Sequence, residues 1–539
     1  MKFVIPGLLV LLCLAGLPFV GNIRDLPPKG GVPEYVHWMK RMKRFGPVSS
    51  ITAWGQTAVI LHDRQAANEI LEKTSKKSSG RPYLEMAHRL CGFQGMVATM
   101  QFCDDFKRQR RMMHQQIGTK SSIGRYHETM EEETKILLLR IWREPEKLLQ
   151  LFKVVTGAII LKVLYGYTID QEEDDVLVKL IGIMMDYFAE VFAAMSWAVD
   201  FVPAIRHLPS SLPGMGFKRM AAHSKKVTSA VANIPYSFAQ RRMKKSEEKT
   251  EEKGEGNAPA CYVAARIEEL SSGNGKGESD EKKEEEEGKL AAEDEEAIKY
   301  SAANLFAGGA DTTSSSLTSF VLAMTLYPDV QRKAQKEIDD VVGRDRLPRF
   351  EDRPNLPYVE SVVREAHRWM PVTPLGNTHR ASEDIVYKEY LIPAGAQIIP
   401  SIWWFGHDPT TYRDPDEFDP DRYASPREEP DPRSFVFGFG RRKCPGQFFG
   451  DAALYIMLVQ VLSLFDIRKG LDGEGNEIEP KAEASPGLIS YPVNVRYRIT
   501  PRKEKEHLLK AIEAEDPWRK KSDARLLREE IEHVLQQQP

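Results

Sequence analysis

The residue types with the clearest chemical potential lie in one glycine-rich segment, Phe435-Val-Phe-Gly-Phe-Gly-Arg-Arg-Lys-Cys-Pro-Gly446. Glycines let the backbone turn tightly against a flat ligand, and N–H groups left free by such a loop can point at a thiolate sulfur. Three basic residues precede Cys444, and helical periodicity follows from Gln447 to Phe465. Basic neighbours and a helix N-terminus both favour the thiolate. The segment predicts a thiolate beside a flat ligand; the alternative is a glycine-rich turn with an incidental cysteine.

Two further motifs are charged. Glu365-Ala-His-Arg368 places a carboxylate and a guanidinium three residues apart, on one face of a helix. Phe418-Asp-Pro-Asp-Arg-Tyr423 is a proline-containing turn with an arginine near its end. The first motif alone is a weak signal, because a surface helix pair gives the same pattern. Its position before the second motif and Cys444 strengthens it.

A long apolar helix is predicted from Ala302 to Met324, and its pattern is interrupted by Ala307-Gly-Gly-Ala-Asp-Thr-Thr-Ser-Ser315. Each central glycine costs a helix about 1 kcal/mol relative to alanine. A flat cofactor that approaches the backbone would offset this cost. The alternative is a polar kink without a catalytic role.

In this order along the chain, the motifs resemble those of the cytochrome P450 superfamily, whose cysteine loop has the pattern F-G-x-G-x-R-x-C-x-G. The resemblance implies that Cys444 is the axial thiolate ligand of the iron of haem b. It implies that Phe437 packs beside the sulfur and that Arg442 contacts a haem propionate. Gly438 and Gly446 are the matching glycines of the cofactor-binding loop.

The central helix carries the family's G-G-x-D-T signature as Gly308-Gly-Ala-Asp-Thr312. By resemblance, Gly308 lies against the cofactor, and Asp311 and Thr312 open a local groove and deliver protons to bound dioxygen.

In the family, the E-x-x-R pair and the arginine of the second charged motif form a buried network. Glu365, Arg368 and Arg422 are the matching residues here. A planar guanidinium suits this role because it can bind a carboxylate through two hydrogen bonds.

The other haem-propionate contacts match less well. Phe106 and Lys107 stand where the family usually has a tryptophan and an arginine. The indole N–H donor is therefore lost, and an ammonium that acts only as a point charge replaces the planar guanidinium. Arg110 is a candidate to compensate. His379 or Arg380 resembles a further propionate contact, with an ordinary strand pair as the alternative.

Length and composition limit the remaining possibilities. The chain has 539 residues and a formal charge of −3, which argues against a general nucleic-acid binder. Its five cysteines are too few for a disulfide scaffold.

Residues 1–21 predict a single membrane anchor, possibly truncated, or the apolar region of a signal peptide. Residues 22–500 predict the catalytic domain, 241–296 contain a charged, solvated low-complexity insertion, and 501–539 form a charged C-terminal extension.

The resemblance implies a mainly α fold with small β-sheets: one helical domain around a buried haem, with a long central helix. It also implies a fungal microsomal monooxygenase that inserts one oxygen atom from O2 into a small hydrophobic substrate. NADPH electrons would come from cytochrome P450 reductase, possibly with cytochrome b5, docking near Arg441 and Lys443. The expected location is the endoplasmic reticulum membrane, with the catalytic domain cytosolic.

The expected substrate pocket is apolar and includes Phe93 to Val97, Phe306 to Ala310, Val372 to Leu375 and Leu488 to Ile489. Two alternatives stay open. One is a haem-thiolate isomerase or dehydratase that works without dioxygen; such relatives commonly lack the acid-threonine pair. The other is a non-enzymatic interaction protein that uses the charged insertion and the C-terminal extension.

Overall fold

The computed structural model describes residues 21–27, 32–53, 55–170, 175–192, 197–253, 261–271, 290–515 and 522–536. Its helices are α1 (Glu34–Phe45), α2 (Arg64–Ala67), α3 (Ser75–Ser78), α4 (Asp104–Ile117), α5 (Lys120–Ile123), α6 (His127–Arg143), α7 (Leu148–Tyr165), α8 (Val176–Val191), α9 (Phe217–Lys253), α10 (Tyr262–Ser271), α11 (Ala292–Leu326), α12 (Pro328–Val342), α13 (Pro357–Trp369), α14 (Ile402–His407), α15 (Gln447–Leu464), α16 (Glu506–Ala514) and α17 (Arg528–Leu535). Its strands are β1 (Val48–Ala53), β2 (Gln56–Leu61), β3 (His379–Arg380), β4 (Ile385–Tyr387), β5 (Tyr390–Ile392), β6 (Gln397–Pro400), β7 (Phe465–Lys469) and β8 (Tyr497–Pro501). The predicted mainly α fold with small sheets is confirmed.

The long central helix is α11, with 35 residues. Acidic residues 293–295 occupy its first turn, where they favour the positive end of the helix dipole. It ends before Pro328, which disfavours helical geometry in the residue that precedes it. The helix packs against α4, α7 and α15 and continues without a break through Gly308 and Gly309. It therefore forms a continuous wall through the middle of the protein.

The largest sheet has the strand order β1-β2-β6-β3. The predicted strand pair at residues 48–61 is confirmed as the antiparallel pair β1 and β2. Strand β6 pairs parallel with β2 and antiparallel with β3, where His379 is opposite Ile398. The sheet thereby fixes β3 against the end of the central cavity.

Residues 241–296 are predicted to contain a charged, solvated insertion, and the stretch of this range that forms α10 is instead packed into the fold. Helix α9 continues to Lys253, and α10 buries Tyr262 and Val263. The Tyr262 hydroxyl lies 2.6 Å from the Ser301 hydroxyl on the central helix. The composition of residues 241–296 did not reveal this short apolar stretch, because acidic residues dominate the range as a whole. The acid-rich residues 272–289 lie outside the described part of the chain.

The described part of residues 501–539 packs onto the helical body. Leu509 on α16 and Ile531 on α17 are fully buried. Asp523 ties α17 to the body, because its carboxylate accepts the Thr168 N–H at 2.9 Å. Lys505 is fully buried and donates to the Gly343 carbonyl at 2.7 Å. The described part of residues 501–539 is therefore packed against the body in spite of its charged composition.

Two helical stretches among the described residues are long and apolar enough to cross a membrane, Pro145–Tyr165 and Gln447–Leu464. Most of each is buried inside the fold, 72% and 78% of the respective windows. Both have the environment of core helices. The predicted anchor at residues 1–21 lies almost entirely outside the described residues.

Candidate active site

A cavity of about 340 Å³ lies between the central helix, the loop before α15 and strand β3. Its size falls in the range of small-molecule sites. The residues predicted from the sequence that line it are Arg110, Gly308, Thr312, His379, Phe437, Gly438, Arg442, Cys444 and Gly446. The structure therefore brings together four separate segments of the chain around one space. Lys107, Asp311 and Arg380 do not line it.

The cysteine loop is held in a tight turn. Gly438 and Gly440 have positive φ angles of 78° and 55°, which glycine adopts without steric cost. A side chain at position 440 would come within 2.4 Å of the Leu71 carbonyl oxygen, so the loop lies close against the neighbouring helical turn. The Cys444 N–H donates to the Phe437 carbonyl at 2.8 Å and closes the turn. The thiol consequently faces the cavity from a rigid base.

Burial raises the pKa of the Cys444 thiol, whereas a hydrogen bond from the Gly446 backbone N–H and the Arg110 charge act in the opposite direction. The expectation that the three preceding basic residues stabilise the thiolate is wrong in its choice of cation. Arg441 lies over the Phe102 ring at 5.2 Å. The Arg442 guanidinium donates to the carbonyls of Ser79, Val97 and Met100, so adjacency in sequence did not place the charges of Arg441 and Arg442 at the sulfur.

The glycines of the central helix form the opposite wall. Gly308 has open space where a side chain would begin, which gives a flat ligand room against the backbone. Thr312 Oγ1 donates to the Gly308 carbonyl at 2.6 Å, the local side-chain bond that competes with helical hydrogen bonding. The hydroxyl therefore lies beside the open wall.

Asp311 points away from the cavity, towards two partners that the sequence did not reveal. The Tyr491 hydroxyl lies 3.0 Å from both its Oδ1 and its carbonyl oxygen. Lys153 Nζ lies 3.4 Å from Oδ1, and more than half of its side chain is exposed. Burial, followed by the Asp311 charge, raises the pKa of Tyr491, so its phenol stays protonated as a donor. These contacts connect the Asp311 carboxylate to the exposed Lys153 side chain on the side of the helix away from the cavity.

Three guanidinium groups lie at one end of the cavity: Arg81 and Arg442, which are buried, and Arg110, which is partly buried. Their protein partners are carbonyl oxygens; Arg81 donates to Asn377 and Thr378 at 2.6 and 2.7 Å. Among the described residues, no carboxylate forms a salt bridge with any of the three. Burial and mutual repulsion lower the pKa of Arg442 to about 9 and that of Arg81 well below its ordinary value. This end of the site is suited to an anion.

His379 lies at the same end of the cavity. Lys107 and Arg380, the other candidates for propionate contacts with a weak match, do not. The His379 ring is buried with Nδ1 2.8 Å from the Ser78 carbonyl oxygen, and burial and the Arg81 charge lower its pKa well below the ordinary value. Lys107 forms a surface salt bridge with Asp104 at 2.7 Å. The Arg380 guanidinium donates to the Gly395 carbonyl at 3.3 Å on the exposed side of β3. Arg81, which sequence reasoning missed, occupies the space instead.

The residues present fit a haem group. A thiol on one wall, an open glycine wall opposite, and three cations at one end match a flat metal macrocycle with two carboxylates. Phe106 lines the cavity in place of the family's tryptophan, and the Arg442 guanidinium stacks on its ring at 4.0 Å. This stacking substitutes aromatic packing for the lost N–H donor.

The predicted charge network is assembled as a closed cluster. Arg368 and Glu365 are fully buried and joined by two hydrogen bonds of 2.8 and 2.9 Å. Arg422 adds a third bond of 2.9 Å to the same carboxylate, and the Tyr423 hydroxyl donates to it at 2.8 Å. The cluster fastens α13 to the segment that leads into the cysteine loop.

The apolar lining agrees with only part of the pocket predicted from the sequence. Val97, Gly309 and Val372 line the cavity. Phe306 points instead towards Tyr165, with ring centroids 6.4 Å apart. Leu488 and Ile489 are not part of the lining. Asn304, which was not predicted, adds a polar amide to the wall.

Comparison with known proteins agrees with this geometry. A sequence model of the cytochrome P450 family matches residues 13–493. The cytochrome P450 monooxygenase CLM2 of Gibberella zeae is 42% identical over 517 residues, 96% of this chain and 93% of the relative. The multifunctional cytochrome P450 monooxygenase af510 of Aspergillus fumigatus is 41% identical over 93% of this chain and 89% of its own length. The O-methylsterigmatocystin oxidoreductase of Aspergillus flavus is 35% identical over 94% and 90%.

The fold and the site define a protein of the haem-binding class, with a cysteine facing a glycine wall across a cavity that ends in cations. The chain belongs to the cytochrome P450 family and is an oxidoreductase of the monooxygenase class.

The buried charge network provides a test of stability. Glu365→Gln removes the negative charge that two buried guanidinium groups share, and we expect the free energy of unfolding to fall by about 3–5 kcal/mol. Glu383→Gln removes one partner of the exposed Lys77 pair and is expected to change it by less than about 1 kcal/mol. Denaturant unfolding of both variants measures the difference. Equal effects would contradict a central role for Glu365.

Proposed function

We propose that the protein inserts one atom of dioxygen into a small hydrophobic substrate, using NADPH electrons delivered by a reductase. The observation that carries this proposal is the arrangement of Cys444 opposite Gly308 and Thr312 in one cavity. When bound, haem supplies the reductive activation of dioxygen. The protein supplies the ligand, the proton path and the shape of the substrate site.

Cys444 would hold the iron, with the Gly446 N–H directed at its sulfur. Arg81, Arg110 and Arg442 would hold the propionates, because they are buried cations whose protein partners are neutral carbonyls. Each guanidinium can add a charge-assisted hydrogen bond to a carboxylate. His379 lies beside them as a further contact.

The proton path would run from solvent through Asp311 to Thr312. Lys153 holds the outer side of Asp311 and is itself exposed, while Tyr491 fixes the carboxylate by a hydrogen bond. A carboxylate on the solvent side of the helix can pick up a proton there and would pass it to the adjacent Thr312 hydroxyl when the Asp311 side chain turns towards the cavity. Thr312 is the hydroxyl that presents a proton to the cavity.

The relatives named above and the surface of the body support the finer assignments. Arg441 is exposed beside the cysteine loop and suits the docking of an acidic electron-transfer partner such as the reductase or cytochrome b5. Phe201, Val202, Leu208 and Leu212 are exposed on the loop before α9 and suit contact with a lipid surface. We therefore propose attachment to the endoplasmic reticulum membrane, with the catalytic domain on the cytosolic side.

The function is tested by the carbon monoxide difference spectrum of the reduced, haem-reconstituted protein. We expect the band of a thiolate-ligated haem, and we expect Cys444→Ala to lose it because the sulfur ligand is gone. Cys103→Ala is the matched control, since that cysteine lies outside the haem cavity. Folded wild-type protein without the thiolate band would overturn the assignment.

The guanidinium cluster predicts how tightly haem is held. Arg81→Gln should release haem to an excess of a haem-scavenging apoprotein about tenfold faster, because one charge-assisted bond worth about 1.5 kcal/mol is lost. Lys107→Gln should release it at the wild-type rate, since Lys107 pairs with Asp104 at the surface. Faster loss from the Lys107 variant than from the Arg81 variant would contradict this division of roles.

The proton path predicts uncoupling. Thr312→Ala should keep the carbon monoxide band but lower the product formed per NADPH consumed by roughly tenfold, less than a positioned proton donor usually contributes because water can replace it in part. Tyr491→Phe should lower the same ratio to a smaller extent, because Asp311 loses a donor. Tyr497→Phe, which removes a bond to the Glu146 carbonyl, is the control and should stay coupled. Normal coupling in Thr312→Ala would contradict the path.

A further inference from the structure

A second cavity, of about 640 Å³, opens at the protein surface and is lined by residues of α4, of α11 and of the loop before α4. We call it the side cleft and define it by Gly95, Asp105, Gln109, Glu296 and Tyr300. None of these residues has a part in the haem site or the proton path. The cleft therefore needs its own explanation.

A firmly held loop separates the cleft from the haem cavity. Residues 97 and 98 of this loop line the haem cavity, whereas residues 94, 95, 100 and 101 line the cleft. The Ala98 carbonyl accepts hydrogen bonds from Asn377 at 2.9 Å and from Arg81 at 3.0 Å. The Arg442 guanidinium donates to the Met100 carbonyl at 2.6 Å. The loop is therefore a fixed end wall, and the cleft is a space of its own rather than an extension of the haem cavity.

The two helices supply the side walls with the same order of groups. On α4, Asp105 is exposed, and buried Gln109 lies about one helical turn further on. On α11, Glu296 is exposed, and half-buried Tyr300 lies about one turn further on. Residues four apart share one face of a helix. Each wall thus carries a carboxylate at the mouth of the cleft and an uncharged polar side chain inside it.

The carboxylates at the mouth favour a cation. Among the described residues, Asp105 and Glu296 form no salt bridge, and the neighbouring Arg108 is bonded to Glu293 at 2.8 Å. Burial, followed by the Glu296 charge, raises the pKa of Tyr300, so this carboxylate acts close to the phenol. A cleft with an excess of one charge raises the local concentration of ligands of the opposite sign.

An independent observation at the inner end also points to a ligand. Gln109 is only 3% exposed, and its side-chain oxygen has no hydrogen-bond partner within the described part of the chain. Its amide nitrogen donates to the Gly95 carbonyl at a long distance of 3.4 Å, which places the amide beside another residue of the cleft. A buried acceptor without a donor is destabilising. A ligand that carries an N–H or O–H group would supply the missing donor.

The inner wall suits an apolar body. The Tyr300 ring packs directly on Gly95, where even a single added carbon would come within 2.7 Å of ring atoms. The ring therefore has a fixed position, and Met100 and Ala297 add apolar surface to the same wall. An aromatic ring also attracts a nearby cation through its face.

We propose that the side cleft is a binding site for a small organic cation. The ammonium group of this ligand lies at the mouth, between Asp105 and Glu296. Its apolar body lies against Tyr300, and a donor at its far end reaches the Gln109 oxygen. This inference goes beyond the proposed monooxygenase reaction and does not depend on it, because the cleft and the haem cavity are separate.

The site is tested by titration calorimetry with tyramine, whose ammonium, ring and phenol match the three parts of the cleft. The protein is full-length and haem-loaded, and excess phenylimidazole occupies the iron so that the amine cannot bind there. We expect tyramine to bind about tenfold more tightly than ethylphenol, which lacks the ammonium group and both ion pairs. Hydroxyphenylpropionate, an anion of similar shape, should not bind. Equal affinities for tyramine and ethylphenol, or no binding of tyramine, would overturn the proposal.

The carboxylates are tested by two double variants that change the net charge equally. Asp105→Asn with Glu296→Gln should weaken tyramine binding about tenfold, because both ion pairs are lost. Asp104→Asn with Glu295→Gln is the control, since these carboxylates form other salt bridges and do not line the cleft. The control should bind tyramine as the wild type does. Equal weakening in both variants would show a general charge effect, and the site would be wrong.

The acceptor is tested by comparing two amines. Wild-type protein should bind tyramine about fivefold more tightly than phenethylamine, which lacks the phenol O–H. Gln109→Leu removes the acceptor but keeps an apolar side chain of similar length, and should abolish this difference. An unchanged haem spectrum shows that the variant is folded. Equal binding of the two amines by the wild type, or a difference that persists in the variant, would contradict the role of Gln109.

Discussion

The structure depends on how buried positive charge is compensated, and the two arginine clusters differ in this respect. In the network around Glu365, the carboxylates of Glu365 and Glu429 pair with Arg368 and Arg422, so the charge is matched within the fold. Around the cavity, Arg81 and Arg442 face one another with carbonyl partners only. Buried cations without an anion are costly. The first cluster stabilises the folded chain by itself. The second leaves uncompensated buried positive charge, which a bound anionic cofactor would neutralise.

This difference explains the arrangement of the cysteine loop. The closed network holds α13 against the segment that leads to the loop, through a bond from Arg368 to the Gly406 carbonyl of 2.6 Å. The open cluster acts at the other side, where Arg442 reaches the carbonyls of Ser79 and Met100. These bonds hold the loop within the fold, and a cofactor bound through its carboxylates, as proposed, would relieve the remaining repulsion. Folding and cofactor affinity are coupled through the same loop.

Local motifs allowed much of the site to be predicted, because a cysteine loop or an E-x-x-R helix carries its geometry in adjacent residues. Arg81 could not be found this way, since it meets Asn377 only through tertiary packing. Lys107 was a different kind of error. Phe106 and Arg110 are four residues apart and share the inner face of α4, whereas Lys107 pairs with Asp104 on the outer face. Helical periodicity, applied within the motif, would have separated them.

The central helix presents two different faces within one short motif. Gly308 leaves its wall of the cavity open, and the Thr312 hydroxyl donates to the Gly308 carbonyl beside it. Asp311, which contacts Tyr491 and exposed Lys153, lies on the side away from the cavity. Consecutive residues of a helix point in directions about 100° apart, so adjacent residues can serve opposite faces only while the helix stays regular. The uninterrupted helix, with glycine only in the wall of the cavity, makes that separation possible.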